Sequence, residues 1–410
     1  MTDAIPAAGV GTATQPLTGV RVLDIATFLA GPFCGTIMGD FGADVIKVEQ
    51  PGSGDPLRGF GTPTECGDTF AWLSEARNKR CMTLDLRSPE GAAVFRRLVA
   101  EADVLIENFR PGTMEKWGFG WEALSAINPK LVMLRISAYG QTGPMREKPG
   151  FARIAHGFAG LSYLAGEPGR PPVVPGSTSL ADYMSGVWGC VGVMMALRQA
   201  ESTGRGQVVD IGLYESIFRM LDEIAPVYAA HGTVRERMGA DVPAVVPHGH
   251  WCTRDGRWIA LACSSDKMFE RLAVAMGRPE LAGAGPFGRT AQRVAGREAV
   301  NALVAEWVGA QDYEGLIAAC DRHGVPCGPI NSIADIFEDP QFRARGNMLD
   351  VEDPRIGRVV LPAGVPALSE TPPALRHTGR ALGADTDAIL RDLLRLEEAE
   401  IAALRAAGAV

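Results

Sequence analysis

The sequence predicts an α/β fold, made of a large domain with a mainly parallel sheet and a smaller α+β domain. Three features carry that prediction. Short β-branched runs alternate with helix signals from Val20 to Ala138, the spacers between runs are long enough for crossover helices, and near Trp251 the pattern changes to a hairpin followed by helices.

Val20 to Ile25 is the first run; Ala30-Gly31-Pro32 ends it, a helix is expected from Phe33 to Phe41, and Asp44 to Val48 is the second run. The three read as a βαβ unit. Cys81 to Leu86 then leads into Ser88-Pro89-Glu90, where Ser88 suits a helix cap and Pro89 its first turn, so a helix to about Ala102 follows. Val104 to Phe109 and Leu131 to Ala138 are strands, with a helix from Trp121 to Ile127 between them. Strands joined by such helices form a parallel sheet wound in the Rossmann manner, with right-handed crossovers. Ala181 to Gln199 reads as one long apolar helix whose glycines and alanines suit close packing in the interior, and Val208 to Ile211 as another strand. The pattern weakens from Glu223 to Val246. A second unit starts with Trp251 to Cys263, where Asp255-Gly256 is a hairpin turn signal, and continues with helices at Asp266 to Met276, Glu298 to Val308 and Tyr313 to His323. A helix at Ile333 to Phe337, a strand at Val359 to Leu361 and a terminal helix or helix pair from Thr386 to Ala406 complete the chain.

Composition limits the function classes. With 410 residues, 46% hydrophobic and 21% charged, the chain is globular and long enough for two or three domains. A net charge of −8, with no run of basic residues, disfavours nucleic acid and anionic membranes as partners. No apolar run reaches the ~18 residues of a membrane helix; the strongest stretch, Val187 to Leu197, is interrupted by glycines and a cysteine. Met1 to Pro16 is polar and lacks a basic start with an apolar block, so no signal peptide is expected. The eight cysteines are widely spaced, which fits reduced thiols and a cytoplasmic location. Without a Cys-x-x-Cys or His-x-x-x-His pair, no metal site is expected.

Two places could carry chemistry. Backbone amides at the Ala30-Gly31-Pro32 turn could hold an anion. A dinucleotide reading would make Glu49 a ribose ligand, but the Gly-x-Gly-x-x-Gly spacing is absent. The second place is Asp182, in Pro175-Gly-Ser-Thr-Ser-Leu-Ala-Asp-Tyr-Met-Ser-Gly186, a carboxylate at the mouth of an apolar helix. An acid there also serves as an ordinary helix-terminus charge.

Ten short segments in order bear on that choice: Leu17-Thr-Gly-Val-Arg-Val-Leu-Asp24 with Ala30-Gly-Pro32, Gly42-Ala-Asp-Val-Ile-Lys-Val-Glu49, Gly52-Ser-Gly-Asp55, Asn78-Lys-Arg80, Glu107-Asn-Phe-Arg-Pro-Gly112, Gly140-Gln-Thr-Gly-Pro144, Gly204-Arg-Gly-Gln207, Gly324-Val-Pro-Cys-Gly-Pro329 and Leu382-Gly-Ala-Asp-Thr-Asp387. On these, from Leu17 to about Leu390, the chain resembles the class III CoA-transferases, the formyl-CoA transferase-like or CaiB-BaiF-like group, nearest its succinyl-CoA:dicarboxylate branch. The resemblance implies a CoA-transferase with Asp182 as the covalent nucleophile, a CoA thioester as co-substrate, a carboxylic acid acceptor and no other cofactor. It implies CoA contacts at Leu29 and Ala30; at Leu84, Asp85, Leu86 and Arg87; at Asn108, Phe109 and Arg110; and at Lys116. It also implies an interlocked, ring-like homodimer whose large domain takes in residues 1–224 and a returning segment, 333–410, around a small domain at 225–332.

Where the formyl-CoA enzymes carry a run of glycines, this chain has Val246-Pro-His-Gly-His-Trp251. His248 and His250, flanking Gly249, could point the same way from a strand and bind the free carboxylate of a dicarboxylic acyl group. His156, His231, His323 and His377 carry no motif and stay as background. Three alternatives remain: CoA transfer between the two carboxyls of one diacid, as in a mesaconyl-CoA type enzyme; the α-methylacyl-CoA racemase branch; and a non-catalytic CoA-binding subunit. The racemase's His and neighbouring acid fall on Phe151 and Ala152, which disfavours it.

Overall fold

Six parallel strands form the sheet at the centre of the larger part of the molecule: β1 (Arg21–Asp24), β2 (Asp44–Glu49), β3 (Lys79–Thr83), β4 (Val104–Glu107), β5 (Val132–Ser137) and β6 (Val208–Gly212). The computed structural model describes residues 14–410, so most of the polar N-terminal stretch lies outside the described residues. The strands lie side by side in the order β3-β2-β1-β4-β5-β6, and every pairing is parallel. β4 and β5 are buried along their whole length, as strands covered on both faces must be. The direction of winding reverses between β1 and β4. Their carboxyl ends therefore diverge into a crevice, the place where open α/β sheets bind ligands.

Helices α1 (Ala30–Asp40), α2 (Pro89–Ala100), α3 (Trp121–Ile127), α4 (Ala152–Phe158), α5 (Leu180–Thr203) and α6 (Leu213–Phe218) belong to this unit. Ser88 caps α2 as its sequence suggests, its hydroxyl accepting the amide of Gly91 at 3.0 Å. α1 opens at Ala30, earlier than the expected Phe33: Pro32 falls in the first turn, where its missing N–H has no helical partner to lose. β3 lies two residues earlier than expected, because parallel pairing of Val45 to Glu49 with Lys79 to Thr83 sets its limits and leaves Leu84 to Arg87 as a loop.

α5 is 24 residues long, and among the described residues it is the one helix long and apolar enough to cross a membrane. Its glycines explain what one side packs against. A Cβ on Gly186 would stand 2.9 Å from the Ala30 carbonyl oxygen, one on Gly189 would meet Leu134 at 2.8 Å, and one on Gly192 would meet Val209 at 2.7 Å. Three glycines at spacing three thus let α5 lie directly on α1 and on β5 and β6. The opposite side differs from the expected interior helix: Trp188, Val191, Met194 and Met195 are exposed.

The smaller unit comprises Ser162–Pro175 and Ile224–Asp339. Its antiparallel sheet is β7 (His248–Cys252), β8 (Trp258–Ala262) and β9 (Cys327–Pro329). The Asp255-Gly256 turn joins β7 to β8, with Gly256 at φ +80 supplying the left-handed backbone that this turn requires. Helices α7 (Asp266–Ala275), α8 (Arg297–Gly309) and α9 (Tyr313–His323) bury Phe269, Leu272, Val304 and Leu316 against Ile259 and Leu261. Compared with the expected 225–332, this unit runs on to Asp339 and gains Ser162–Pro175, which the sequence reading placed in the large domain.

Pro340–Val410 belongs to the larger unit. It contributes a hairpin, β10 (Met348–Asp353) with β11 (Gly357–Pro362), of which only the second strand was expected, and a terminal helix α10 (Glu398–Ala406). Of the terminal helix or helix pair expected from Thr386 to Ala406, the pair forms: its first member ends in a π turn at Ile389–Leu393 that buries Ile389 and Leu390 in the core beside Leu98 and Met133, and α10 is the second. Just before the π turn, Asp385 Oδ2 accepts the Cys81 amide at 2.8 Å and Thr386 Oγ1 accepts the Thr83 amide at 3.0 Å. The Leu382 to Asp387 segment thereby occupies amides that the edge strand β3 would otherwise leave unpaired.

Candidate active site

The turn that follows β1 is held by buried charge. Phe28 has φ +59, a conformation disfavoured for an aromatic residue, and its amide donates to Asp55 Oδ1 at 3.0 Å. The other Asp55 oxygen is 2.7 Å from Lys47 Nζ, which also donates to the Ala26 carbonyl and stands 3.7 Å from Asp24. Burial alone would lower the Lys47 pKa, but Asp24 and Asp55 outweigh it and hold the ammonium protonated well above its usual range. Lys79 completes the set, pairing with Asp24 at 2.9 Å and donating to the Pro32 carbonyl at 2.6 Å. From the turn after β4, Asn108 brackets Thr27, accepting its amide at 2.8 Å and donating to its carbonyl at 2.7 Å.

Glu49 is fully used within this network. It accepts two bonds from Arg58, at 2.7 and 2.8 Å, and the Asp55 amide at 2.9 Å. That arrangement withdraws it from the ribose-binding role of a dinucleotide site. The next loop is fixed in the same manner: Glu107 accepts Arg135 Nε at 2.6 Å and the Phe109 amide at 2.7 Å, while Arg135 reaches Glu115 at 2.8 Å.

Between these two turns lies a cavity of about 310 Å³. Leu29, Ala30, Asn108, Phe109, Arg110 and Asp182 all line it, so six of the residues marked from sequence come together, joined by Phe28, Ser137, Ala138, Gly150 and Phe151. Asp182 arrives from the first turn of α5, and the contact of Gly186 with the Ala30 carbonyl explains its nearness to the β1–α1 turn. Among the described residues its carboxyl has no hydrogen bond or ion pair, and burial pushes its pKa up to about 6. A carboxyl in this setting is weakly solvated and electrostatically unopposed, which favours nucleophilic attack once it is ionised. Asp182 is also the sole acid among the residues lining this cavity, which include no histidine.

A second recess, of about 110 Å³, is lined by Leu84, Leu86, Arg87 and Phe109, together with Thr27, Lys47, Gln50 and Trp117. Phe109 and Thr27 border both spaces. Asp85 and Lys116 line neither. Asp85 accepts the amide and Nε of Arg87, each at 3.0 Å, and so orients that guanidinium; Lys116 is exposed. Arg110 is exposed and donates to the Glu147 carbonyl at 2.8 Å.

His248 and His250 lie on β7 of the smaller unit, two residues apart and so on one face of the sheet. Gly249, between them, faces the other way, beneath the Trp251 ring. His250 borders an open recess with Arg257, Trp258, Glu167 and Asp335, whereas His248 Nδ1 is buried and has no hydrogen-bond partner among the described residues. No group of three His, Cys, Asp or Glu side chains among the described residues is placed to hold a metal ion. Sequence reasoning missed three features: His156, which touches the start of α5; the left-handed Phe28; and the Lys47–Asp55 pair. The segments Gly42 to Glu49 and Gly52 to Asp55 signalled the pair, but Phe28 and His156 gave no signal.

The fold and the crevice define a class of protein. A CAIB/BAIF family protein from Brucella suis has the same fold, with a TM-score of 0.81 at 37% identity over 93% of this chain and 100% of that one. The chain belongs to CoA-transferase family III, whose family model matches residues 17–386, and it is an enzyme of that class. Among characterised relatives, the succinyl-CoA–L-malate CoA-transferase alpha subunit of Chloroflexus aurantiacus is 53% identical over 98% of this chain and 94% of the relative. The beta subunit of the same enzyme is 52% identical over 96% of this chain and 98% of the relative.

Proposed function

We propose that this enzyme moves CoA from succinyl-CoA to a free dicarboxylic acid, with Asp182 as the covalent carrier. The observation that carries this reading is a single unpartnered carboxyl, ionising near pH 6, in a cavity lined by the β1–α1 and β4 turns. In the first step the carboxylate attacks the donor's thioester carbonyl, giving an aspartyl–succinyl anhydride and CoA thiolate. The thiolate attacks the aspartyl carbonyl, leaving an Asp182–CoA thioester and releasing succinate. The acceptor carboxylate then attacks that thioester and expels CoA thiolate, which attacks the acceptor carbonyl of the new anhydride and regenerates the Asp182 carboxylate. Each intermediate keeps the activation of a thioester, so long as water is excluded.

In this reading Leu29 and Ala30 approach the thioester. Arg110 and Arg87 supply charge for phosphates, with Lys116 further out, and Leu84, Asp85, Leu86, Asn108 and Phe109 shape the nucleotide path. His248 and His250, on one face of β7 in the smaller unit, are suited as ligands for a carboxylate. The malate relatives support the dicarboxylate class. A racemase needs bases on two faces of the α-carbon, and the Asp182 cavity lacks a second one.

Near-equal likeness to an alpha and a beta subunit supports an assembly in which two copies of one chain fill both places, the interlocked homodimer; the exposed apolar side of α5 gives such an assembly surface to bury. Eight free thiols support a cytoplasmic setting. The test is to incubate the enzyme with succinyl-CoA and a panel of acids, and to follow CoA products and intact-protein mass. Malate or a related diacid becomes its CoA ester, and the wild-type chain gains the mass of a CoA thioester that Asp182→Ala does not. Equal transfer to monocarboxylates removes the dicarboxylate assignment, and turnover by Asp182→Ala removes the nucleophile.

A further inference from the structure

The helix that presents Asp182 starts without a cap of its own. Ser179 occupies the N-cap position, but its side chain bonds none of the first-turn amides. Its carbonyl takes two of them, accepting from Asp182 at 2.9 Å and from Tyr183 at 3.2 Å. The amide of Ala181, immediately before the nucleophile, is left to another partner. It donates to His156 Nε2, on α4, at 3.0 Å. Both residues are buried, His156 being 1% exposed, so water cannot replace the bond. A buried amide without an acceptor is destabilising, because it has given up its bond to water and gained none in return.

A backbone N–H can only donate. Nε2 must therefore present its lone pair, which puts the ring proton on Nδ1 and makes the imidazole neutral. Burial, reinforced by Arg153, holds the His156 pKa below its ordinary value and keeps that lone pair available near neutral pH. The choice of an imidazole has a physical reason. Aspartate is a common helix cap, but a second carboxylate one residue from Asp182 would make ionisation of the nucleophile harder and would repel carboxylate substrates. A neutral acceptor satisfies the amide without adding charge.

We propose that His156 is a positioning residue for the nucleophile: by accepting the Ala181 amide proton it sets the start of α5 and so the direction in which the Asp182 carboxyl enters the cavity. The claim rests on Asp182 as the nucleophile, and its failure can be told from the failure of that role. The comparison is among His156→Leu, which fills the site without an acceptor, His156→Gln, whose amide oxygen can reach the Ala181 N–H, and Asp182→Ala.

Misplacing a reacting group by about 1 Å costs on the order of 10²-fold. His156→Leu is therefore expected to lose ~10- to 10²-fold in kcat and in the rate of Asp182–CoA thioester formation. KM for the CoA donor should stay within about threefold, because the turns that line the CoA path are untouched. His156→Gln is expected to recover kcat to within about fivefold of wild type. If His156→Leu does not fold, His156→Asn replaces it, having an acceptor too short to reach the amide. Equal kcat in the Gln variant and the acceptor-deficient variant overturns the proposal, and so does a loss expressed wholly in KM. Turnover by Asp182→Ala would overturn the nucleophile assignment itself, whatever the His156 variants do.

Discussion

Replacing Asp182 by asparagine should make the protein more stable while stopping its chemistry. The carboxyl ionises near 3.8 in an unfolded chain and at about 6 in the fold, where burial is the cause. The folded state thus holds its proton more tightly, and above pH 6 the ionised carboxylate is a cost that the unfolded chain does not bear. At pH 8 the full difference corresponds to about 3 kcal/mol, and the side chain's remaining contact with water reduces this to about 2 kcal/mol. For a unit of this size, that is a rise in Tm of roughly 4 °C. The cost fades as pH falls from the folded value toward the unfolded one, so the advantage of Asp182→Asn should be about halved at pH 5 and cut to about a fifth at pH 4. Paired thermal melts of wild type and Asp182→Asn at pH 8 and pH 5, on samples of equal concentration, measure it. A variant no more stable than wild type at pH 8, or one equally advantaged at both pH values, would show that the carboxyl is not isolated from countercharge and would remove the electrostatic basis for its reactivity.

Two further outcomes follow from the site. Because the carboxylate form attacks, kcat/KM should fall tenfold per pH unit on the acid side with a midpoint at about pH 6; a midpoint below about 4.5, the ordinary carboxylate range, refutes this. Lys47→Met should cost about 3–5 kcal/mol in denaturant unfolding by leaving Asp55 buried and unpaired. The double variant Lys47→Met, Asp55→Asn should recover much of that, since an amide oxygen can still accept the Phe28 amide. A single-variant cost below 1 kcal/mol, or a double variant no better than the single, contradicts the assigned role of the pair.

Much of this site was legible as sequence because it is built from turns. Leu29 and Ala30 follow β1, and Asn108 to Arg110 follow β4 directly after Glu107, which holds that turn; Lys47 and Asp55 lie in two other short segments, Gly42 to Glu49 and Gly52 to Asp55, but their pairing was not foreseen. Local chemistry also marked the Ser88 cap and the Asp255-Gly256 turn. The errors have a common origin in pairing with distant chain. β10 was missed because its partner is β11, the limits of β3 are set by β2, and Ser162–Pro175 joins a unit whose remainder begins at Ile224. The glycines of α5 announced close packing but not that it would be one-sided, since which neighbours a helix face meets is a property of the assembled sheet.

The sequence by itself determined the alternation of strands and helices, the family, and the presence of one acid at the mouth of an apolar helix. Those are matters of local periodicity, turn chemistry and residue order. Only the tertiary structure decided that Asp182 would stand unpartnered beside Ala30, that Glu49 would be withdrawn by Arg58, and that a histidine without a motif would take the Ala181 amide. Burial and the identity of a partner far along the chain set a group's charge state and direction, and neither is written in the residues that flank it.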